Sequence, residues 1–133
     1  MSKPFIDSNI ILYLFSSETE KADQAEAILA SGGVISVQVL NEVVSVCRRK
    51  IKLSWDEIDA LLLALKANVD IVPLTEDTHA LAVKLCKQYA LSFYDANICS
   101  AALIAQCKNL YSEDMQNGLN IDGLILQNPF LVT

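Results

Sequence analysis

Five short apolar runs, most of them separated by stretches of helical periodicity, constrain the fold of this chain more than any other feature. The runs are Phe5-Ile6, Val34 to Val37, Val69 to Val72, Leu110 to Ser112 and Gly123 to Leu126. Each is too short for a helix, and the β-branched residues of the second and third favour strands. Between them lie segments with apolar residues at helical spacing. These predict a short helix over Asn9 to Phe15 and longer ones to about Ala30, from Gln38 to Lys50, from Ser54 onward, from Thr75 through Cys86, and from Ser92 through Ala105. Ser17-Glu-Thr-Glu20 and Ser54-Trp-Asp-Glu57 read as capping boxes, and Thr75 and Ser92 as further N-caps. Strands alternating with helices of ten or more residues imply right-handed crossovers and a mainly parallel sheet covered on both faces. The expected class is α/β.

No linker, repeat or low-complexity run divides the 133 residues, so residues 1–133 read as a single domain. A domain of this length buries enough surface to fold without disulfides or a structural zinc. The four cysteines, Cys47, Cys86, Cys99 and Cys107, form no CxxC pair and no zinc-spaced cluster, and read as buried, reduced side chains. The apolar stretches are too short to span a bilayer, and Met-Ser-Lys-Pro leads into Phe5 without the apolar region of a signal peptide. The expectation is a cytoplasmic protein with no membrane segment. Phosphate-cradling GxxxxGK[ST] and GxGxxG loops are missing from the sequence.

In an open parallel sheet, ligands bind beyond the carboxyl ends of the strands, where the strand order reverses. Four acids fall at such places: Asp7 after the first run, Glu42 in the helix after the second, Asp95 at the start of a late helix, and Asp114 just after the fourth run. Each has a plainer explanation. Asp7 can cap a helix, Asp95 can complete a capping box begun by Ser92, and Asp114 sits in a polar loop. Glu42 is harder to dismiss, because its helix is apolar apart from one stripe, Gln38, Glu42, Ser45 and Arg49, which faces either solvent or a polar cleft. Four converging carboxylates would repel one another unless hard cations neutralise them. Oxygen-only donors suit Mg²⁺ or Mn²⁺, and a pair of such ions about 4 Å apart can activate water and stabilise a leaving oxygen in phosphodiester hydrolysis.

These acids have recognisable surroundings: Phe-Ile-Asp7-Ser-Asn9, Val-Leu-Asn-Glu42-Val, Ser-Phe-Tyr-Asp95-Ala-Asn-Ile and Leu-Tyr-Ser112-Glu-Asp114-Met-Gln-Asn-Gly118. In this order, across most of the chain, they resemble a PIN-domain ribonuclease, and most closely the toxins of VapBC-type toxin-antitoxin pairs. The resemblance implies a three-layer PIN-like fold with a parallel five-stranded sheet in the order 3-2-1-4-5. It makes Asp7, Glu42, Asp95 and Asp114 the catalytic, metal-binding acids for one or two Mg²⁺ or Mn²⁺ ions. Ser8, Asn9 and Ser112 match supporting polar positions, and Glu113 competes with Asp114 to complete the set. It further implies an RNA substrate, a cognate antitoxin and a homodimer. A solitary RNA-processing PIN nuclease and an inactive PIN-like binding module stay open as alternatives. A phosphotransfer receiver would need a phosphoacceptor Asp ending a middle strand and a Lys after a late one, and neither is present.

Charge at first opposes a nucleic-acid ligand, since 10 Lys and Arg against 16 Asp and Glu give −6. Removing the four candidate acids from −6 leaves −2, a mildly acidic remainder. Basic residues also cluster, because Arg48, Arg49, Lys50 and Lys52 occupy four of five positions after the Glu42 helix. Such cations complement a helix C-terminus, and they are also placed to hold RNA phosphates or an acidic segment of an antitoxin.

Overall fold

The computed structural model describes residues 2–131. Met1, Val132 and Thr133, and with them the two ends of the expected domain, lie outside the described residues. The sheet has six strands: β1 (Phe5–Ile6), β2 (Val34–Ser36), β3 (Asp70–Val72), β4 (Asn109–Tyr111), β5 (Asn120–Ile121) and β6 (Leu124–Gln127). Their spatial order is β3-β2-β1-β4-β6-β5, and every pairing is parallel except β5 with β6. The expected order 3-2-1-4-5 is therefore present, with the anticipated fifth strand appearing as β6.

The added strand corrects the expectation of five. Residues 120–121 turn back onto β6 through Asp122 and Gly123, whose φ angles are 50° and 97°. Two successive left-handed residues suit a tight hairpin, and an Asp-Gly pair adopts them readily. The short length of β5 hides it from any reading based on apolar runs.

The helices are α1 (Ser8–Leu12), α2 (Thr19–Ala30), α3 (Val37–Val46), α4 (Trp55–Asn68), α5 (Glu76–Tyr89) and α6 (Phe93–Ile104). A 3₁₀ turn, Tyr13–Phe15, follows α1, and a π-helical turn, Cys47–Ile51, follows α3. Capping boxes form at Ser54 with Glu57 and at Thr75 with Thr78. The box expected at Ser17 does not form. The 3₁₀ turn carries the chain to Phe15, Ser16 Oγ accepts the Glu18 amide at 3.0 Å, and α2 starts only at Thr19. At α6, Ser92 Oγ accepts the Asp95 amide at 3.1 Å, but the reciprocal bond seen at Ser54 is not made. The Asp95 carboxylate therefore does not accept the N-cap backbone amide.

The core runs along the sheet. Phe5, Ile6, Ile35, Leu110 and Leu124 are fully buried and meet Val39 and Val43 of α3 and Ile98 and Cys99 of α6. The two middle strands, β1 and β4, are adjacent although distant in sequence, so the reversal in strand order lies between them. Asp7 and Ser112 follow directly after these strands. The Asp7 amide donates to Tyr111 O at 3.0 Å, and the Ser112 amide donates to Gln127 O at 2.9 Å.

The start of β2 must come close to β1 for this register to hold. A Cβ on Gly33 would lie 2.5 Å from Ile6 Cδ1 and 3.1 Å from Pro4 O. Gly33→Ala is therefore expected to destabilise the fold by about 1–3 kcal/mol, the range for overpacking a core. Urea unfolding measures this, and an unchanged midpoint would contradict the packing described for β1.

Candidate active site

Asp7 is the most constrained side chain at the reversal point. Its residue is 3% exposed, because β1 is buried and the chain turns directly from it into α1. Three neighbours hold the carboxylate. The Ser8 amide donates to Oδ1 at 2.7 Å, Ser112 Oγ donates to Oδ2 at 2.8 Å, and Asn9 Nδ2 reaches Oδ2 at 3.3 Å. Burial pushes the Asp7 carboxyl up from 3.8 to about 6. The Ser112 and Ser8 hydrogen bonds oppose this, and the charges of Glu42 and Asp114 add to it.

Asn9 joins the two ends of the cleft. Its Nδ2 donates to Asp7, to Ser112 Oγ at 3.2 Å and to Asp114 Oδ2 at 3.1 Å. Its Oδ1 accepts the Glu113 amide at 3.1 Å. Asp7 and Asp114 therefore both lie within 3.3 Å of one amide nitrogen. The Asp114 amide also donates to Ser112 Oγ at 3.2 Å, which folds the loop after β4 toward Asp7.

The other two acids enter from helices. Glu42 is half-buried on α3, more than a turn into the helix whose start is capped by Ser36 Oγ, which accepts the Val39 amide at 3.4 Å. Asp95 is half-buried in the first turn of α6. Burial raises its carboxyl above the usual value, the Ser92 hydroxyl opposes that, and Asp114 adds to it. One turn on, burial pushes the Cys99 thiol up to about 12, with further contributions from Asp95 and Asp7. The four acids are thus brought to one rim of the sheet. Among the described residues, however, no three His, Cys, Asp or Glu side chains are close enough to enclose an ion as they stand. The Asn9 amide occupies part of the space between two of them.

Glu113 is directed elsewhere. Tyr13 Oη donates to its Oε1, and Lys21 Nζ lies 3.1 Å from its Oε2. These partners hold the Glu113 carboxyl below its usual value, Tyr13 first and Lys21 after it. Lys21 also sits over the Tyr13 ring, 4.7 Å from its centroid, and Tyr13 packs edge-on against Phe130. Sequence reasoning missed Tyr13, Lys21 and Phe130. No local pattern marks them, since Lys21 and Tyr13 reach Glu113 across 92 and 100 positions of sequence.

The basic run is divided. Arg48 stacks on Trp55 and donates to Leu53 O at 3.0 Å, whereas Arg49 and Lys50 line an open groove with Gln38, Glu42, Ser45 and Tyr94. The stripe seen in the sequence therefore faces a polar cleft. Lys52 ends the turn with a left-handed backbone, φ 63°.

The site makes a pH-dependent contribution to stability in metal-free buffer. The folded state holds Asp7 at about 6 and the unfolded chain near 3.8, so folding favours the protonated acid. That stabilisation is complete below 3.8 and is lost as the pH rises through 6. Relative to Asp7→Asn, the wild type is expected to lose on the order of 2–3 kcal/mol between pH 4 and pH 7.5, since each tenfold change in proton affinity is worth ~1.4 kcal/mol. Denaturant titrations in EDTA measure the difference, and a gap independent of pH would contradict a buried, raised carboxyl.

Comparison with known proteins agrees with this architecture. No curated protein sequence matches the chain. Among solved structures, it superposes on a chain of a toxin-antitoxin complex from Klebsiella pneumoniae with a TM-score of 0.73, 22% identity, and coverage of 97% of this chain and 99% of that one. VapC20 of Mycobacterium tuberculosis, a sarcin-ricin loop cleaving toxin, gives 0.63 at 19% identity, covering 83% and 88%. VapBC2 from Rickettsia felis, bound to a DNA fragment from its promoter, gives 0.66 at 21% identity, covering 93% and 96%. At these identities the likeness is one of fold. The PIN domain family is matched over residues 5–116, which includes all four rim acids. The chain belongs to the PIN domain family.

Proposed function

We propose that this protein is a metal-dependent endoribonuclease that hydrolyses RNA phosphodiester bonds, and that it is the toxin of a type II toxin-antitoxin pair. One observation carries the reading: a buried Asp7 carboxylate faces Glu42 and Asp114, which raise its pKa further. A fold that only needed a helix cap there would not surround it with acids. The donor set is made of carboxylate oxygens, with Asn9, Ser8 and Ser112 as supporting polar groups, and this chemistry fits a hard divalent cation such as Mg²⁺ or Mn²⁺.

In this reading Asp7, Glu42, Asp95 and Asp114 hold one or two such ions. A bound divalent cation supplies the Lewis acid that activates water and steadies the leaving oxygen in phosphodiester hydrolysis. Ser8, Asn9 and Ser112 fix the Asp7 carboxylate, so that its orientation does not depend on the ligand. Tyr13 and Lys21 engage Glu113, which leaves Asp114 as the acid of that loop that faces the rim.

The toxin reading draws on two of the structural neighbours, the toxin-antitoxin complex of Klebsiella pneumoniae and the VapC20 toxin of Mycobacterium tuberculosis. A cognate antitoxin, a homodimer, a cytoplasmic location and a single domain over 1–133 complete the proposal. No helix among the described residues is long and apolar enough to cross a membrane.

Asp95→Asn tests the site. The α6 cap uses the backbone amide at this position, so the variant is expected to fold like the wild type. RNA cleavage in Mg²⁺ should fall by roughly 100-fold or more, the scale of losing a charge-stabilising group in an active site. The wild type should bind Mn²⁺ in calorimetry and gain thermal stability that EDTA reverses. A wild type that neither binds Mn²⁺ nor cuts RNA, or an Asp95→Asn protein that cuts at the wild-type rate, would overturn the reading.

A further inference from the structure

The end of α3 separates the basic run into two kinds of residue. After Val46 the chain winds as a π-helical turn over Cys47–Ile51, which displaces the following side chains from the positions a continued α-helix would give. Arg48 is used in packing, with its guanidinium 4.6 Å from the Trp55 ring centroid and bonded to Leu53 O. Arg49 and Lys50 are exposed and have no carboxylate partner among the described residues. Arg49 Nε donates to Ser45 Oγ at 3.0 Å, which lays the side chain back along α3.

Both cations open into a groove of about 540 Å³ that Glu42 also lines. Gln38 Nε2 donates to Tyr94 O at 3.4 Å and joins α3 to the start of α6 there. Tyr94, 38% exposed, forms the opposite wall and directly precedes Asp95. From Glu42 to Arg49 the helix rises roughly 10 Å, at 1.5 Å per residue. The groove thus brings together a rim acid, an exposed aromatic ring and two cations without a carboxylate partner among the described residues. An acidic peptide would satisfy the cations, but its Asp and Glu side chains offer no ring to stack on Tyr94. A single nucleic-acid strand satisfies both, since its phosphates pair with cations and its bases stack on aromatic rings.

We propose that this groove seats a single-stranded segment of the RNA substrate beside the cut, with Arg49 and Lys50 on its phosphates and Tyr94 stacked on a base. The inference rests on the ribonuclease reading above and assigns the strand path within it. It also separates Arg48 and Lys52 from substrate contact.

Cleavage kinetics on a short fluorescent single-stranded RNA in Mg²⁺ test the path. Arg49→Gln combined with Lys50→Gln, and separately Tyr94→Leu, should each raise KM roughly tenfold with kcat within about twofold, because the contacts serve binding away from the reacting bond. The double variant should also reduce the salt slope of log KM by roughly 1.4, from two lost phosphate contacts. Arg48→Gln should leave KM unchanged while lowering Tm. A wild type that cuts RNA while both groove variants keep its KM and salt slope would overturn the strand path alone. A double variant that keeps KM but loses affinity for polyglutamate would give the groove to an acidic protein partner and overturn it too. A wild type that cuts no RNA in Mg²⁺ or Mn²⁺ would remove the ribonuclease reading and this inference with it.

Discussion

The rest of the site depends on a carboxylate buried at the end of a buried strand. β1 is only two residues long and fully covered, so the chain must pass from it into α1 without reaching solvent, and Asp7 sits at that junction. An ionised acid in such a place is tolerable only with several donors around it. The structure supplies them from the Ser8 amide, the Asn9 amide group and the Ser112 hydroxyl. Two of these come from the residues directly after Asp7, and the third comes from the end of β4. The adjacency of β1 and β4 is therefore both the topological reversal of the sheet and the means of holding the acid.

The loop after β4 sorts two neighbouring acids into different tasks. Glu113 has a cation and a phenol beside it, which keep it ionised and turn it away from the rim. The Asp114 carboxylate accepts from the Asn9 amide group, and it adds to the unfavourable field at Asp7 and Asp95. This separates a structural acid from one left in competition with other acids. The same division appears among the cations after α3, where Arg48 is absorbed by Trp55, whereas Arg49, bonded to Ser45, has no carboxylate partner among the described residues.

Much of this architecture is legible in the sequence, and the reasons are local. The β-branched run at Val34, the box at Ser54, the N-cap at Thr75, and the apolar periodicity of α4 each encode their element within a few residues. The polar stripe on α3 could be drawn from spacing alone, though not whether it faced water or a cleft. The failures are equally physical. β5 is two residues long, and its hairpin is written in Asp122-Gly123 rather than in any apolar run. Ser17 has the residues of a capping box, but the preceding 3₁₀ turn sets where α2 starts. The choice between Glu113 and Asp114 depends on Tyr13 and Lys21, about a hundred residues away. No spacing rule reaches that far.

The central claim is that Asp7 is held ionisable among acids that a divalent cation would neutralise. Carbon-13 NMR of the Asp7 carboxyl, titrated with pH in EDTA and again in excess Mg²⁺, reads this directly. The account predicts a midpoint near 6 without the metal, moving down into or below the ordinary carboxylate range when Mg²⁺ is present. A midpoint at the ordinary value in EDTA, or one that Mg²⁺ leaves in place, would contradict it.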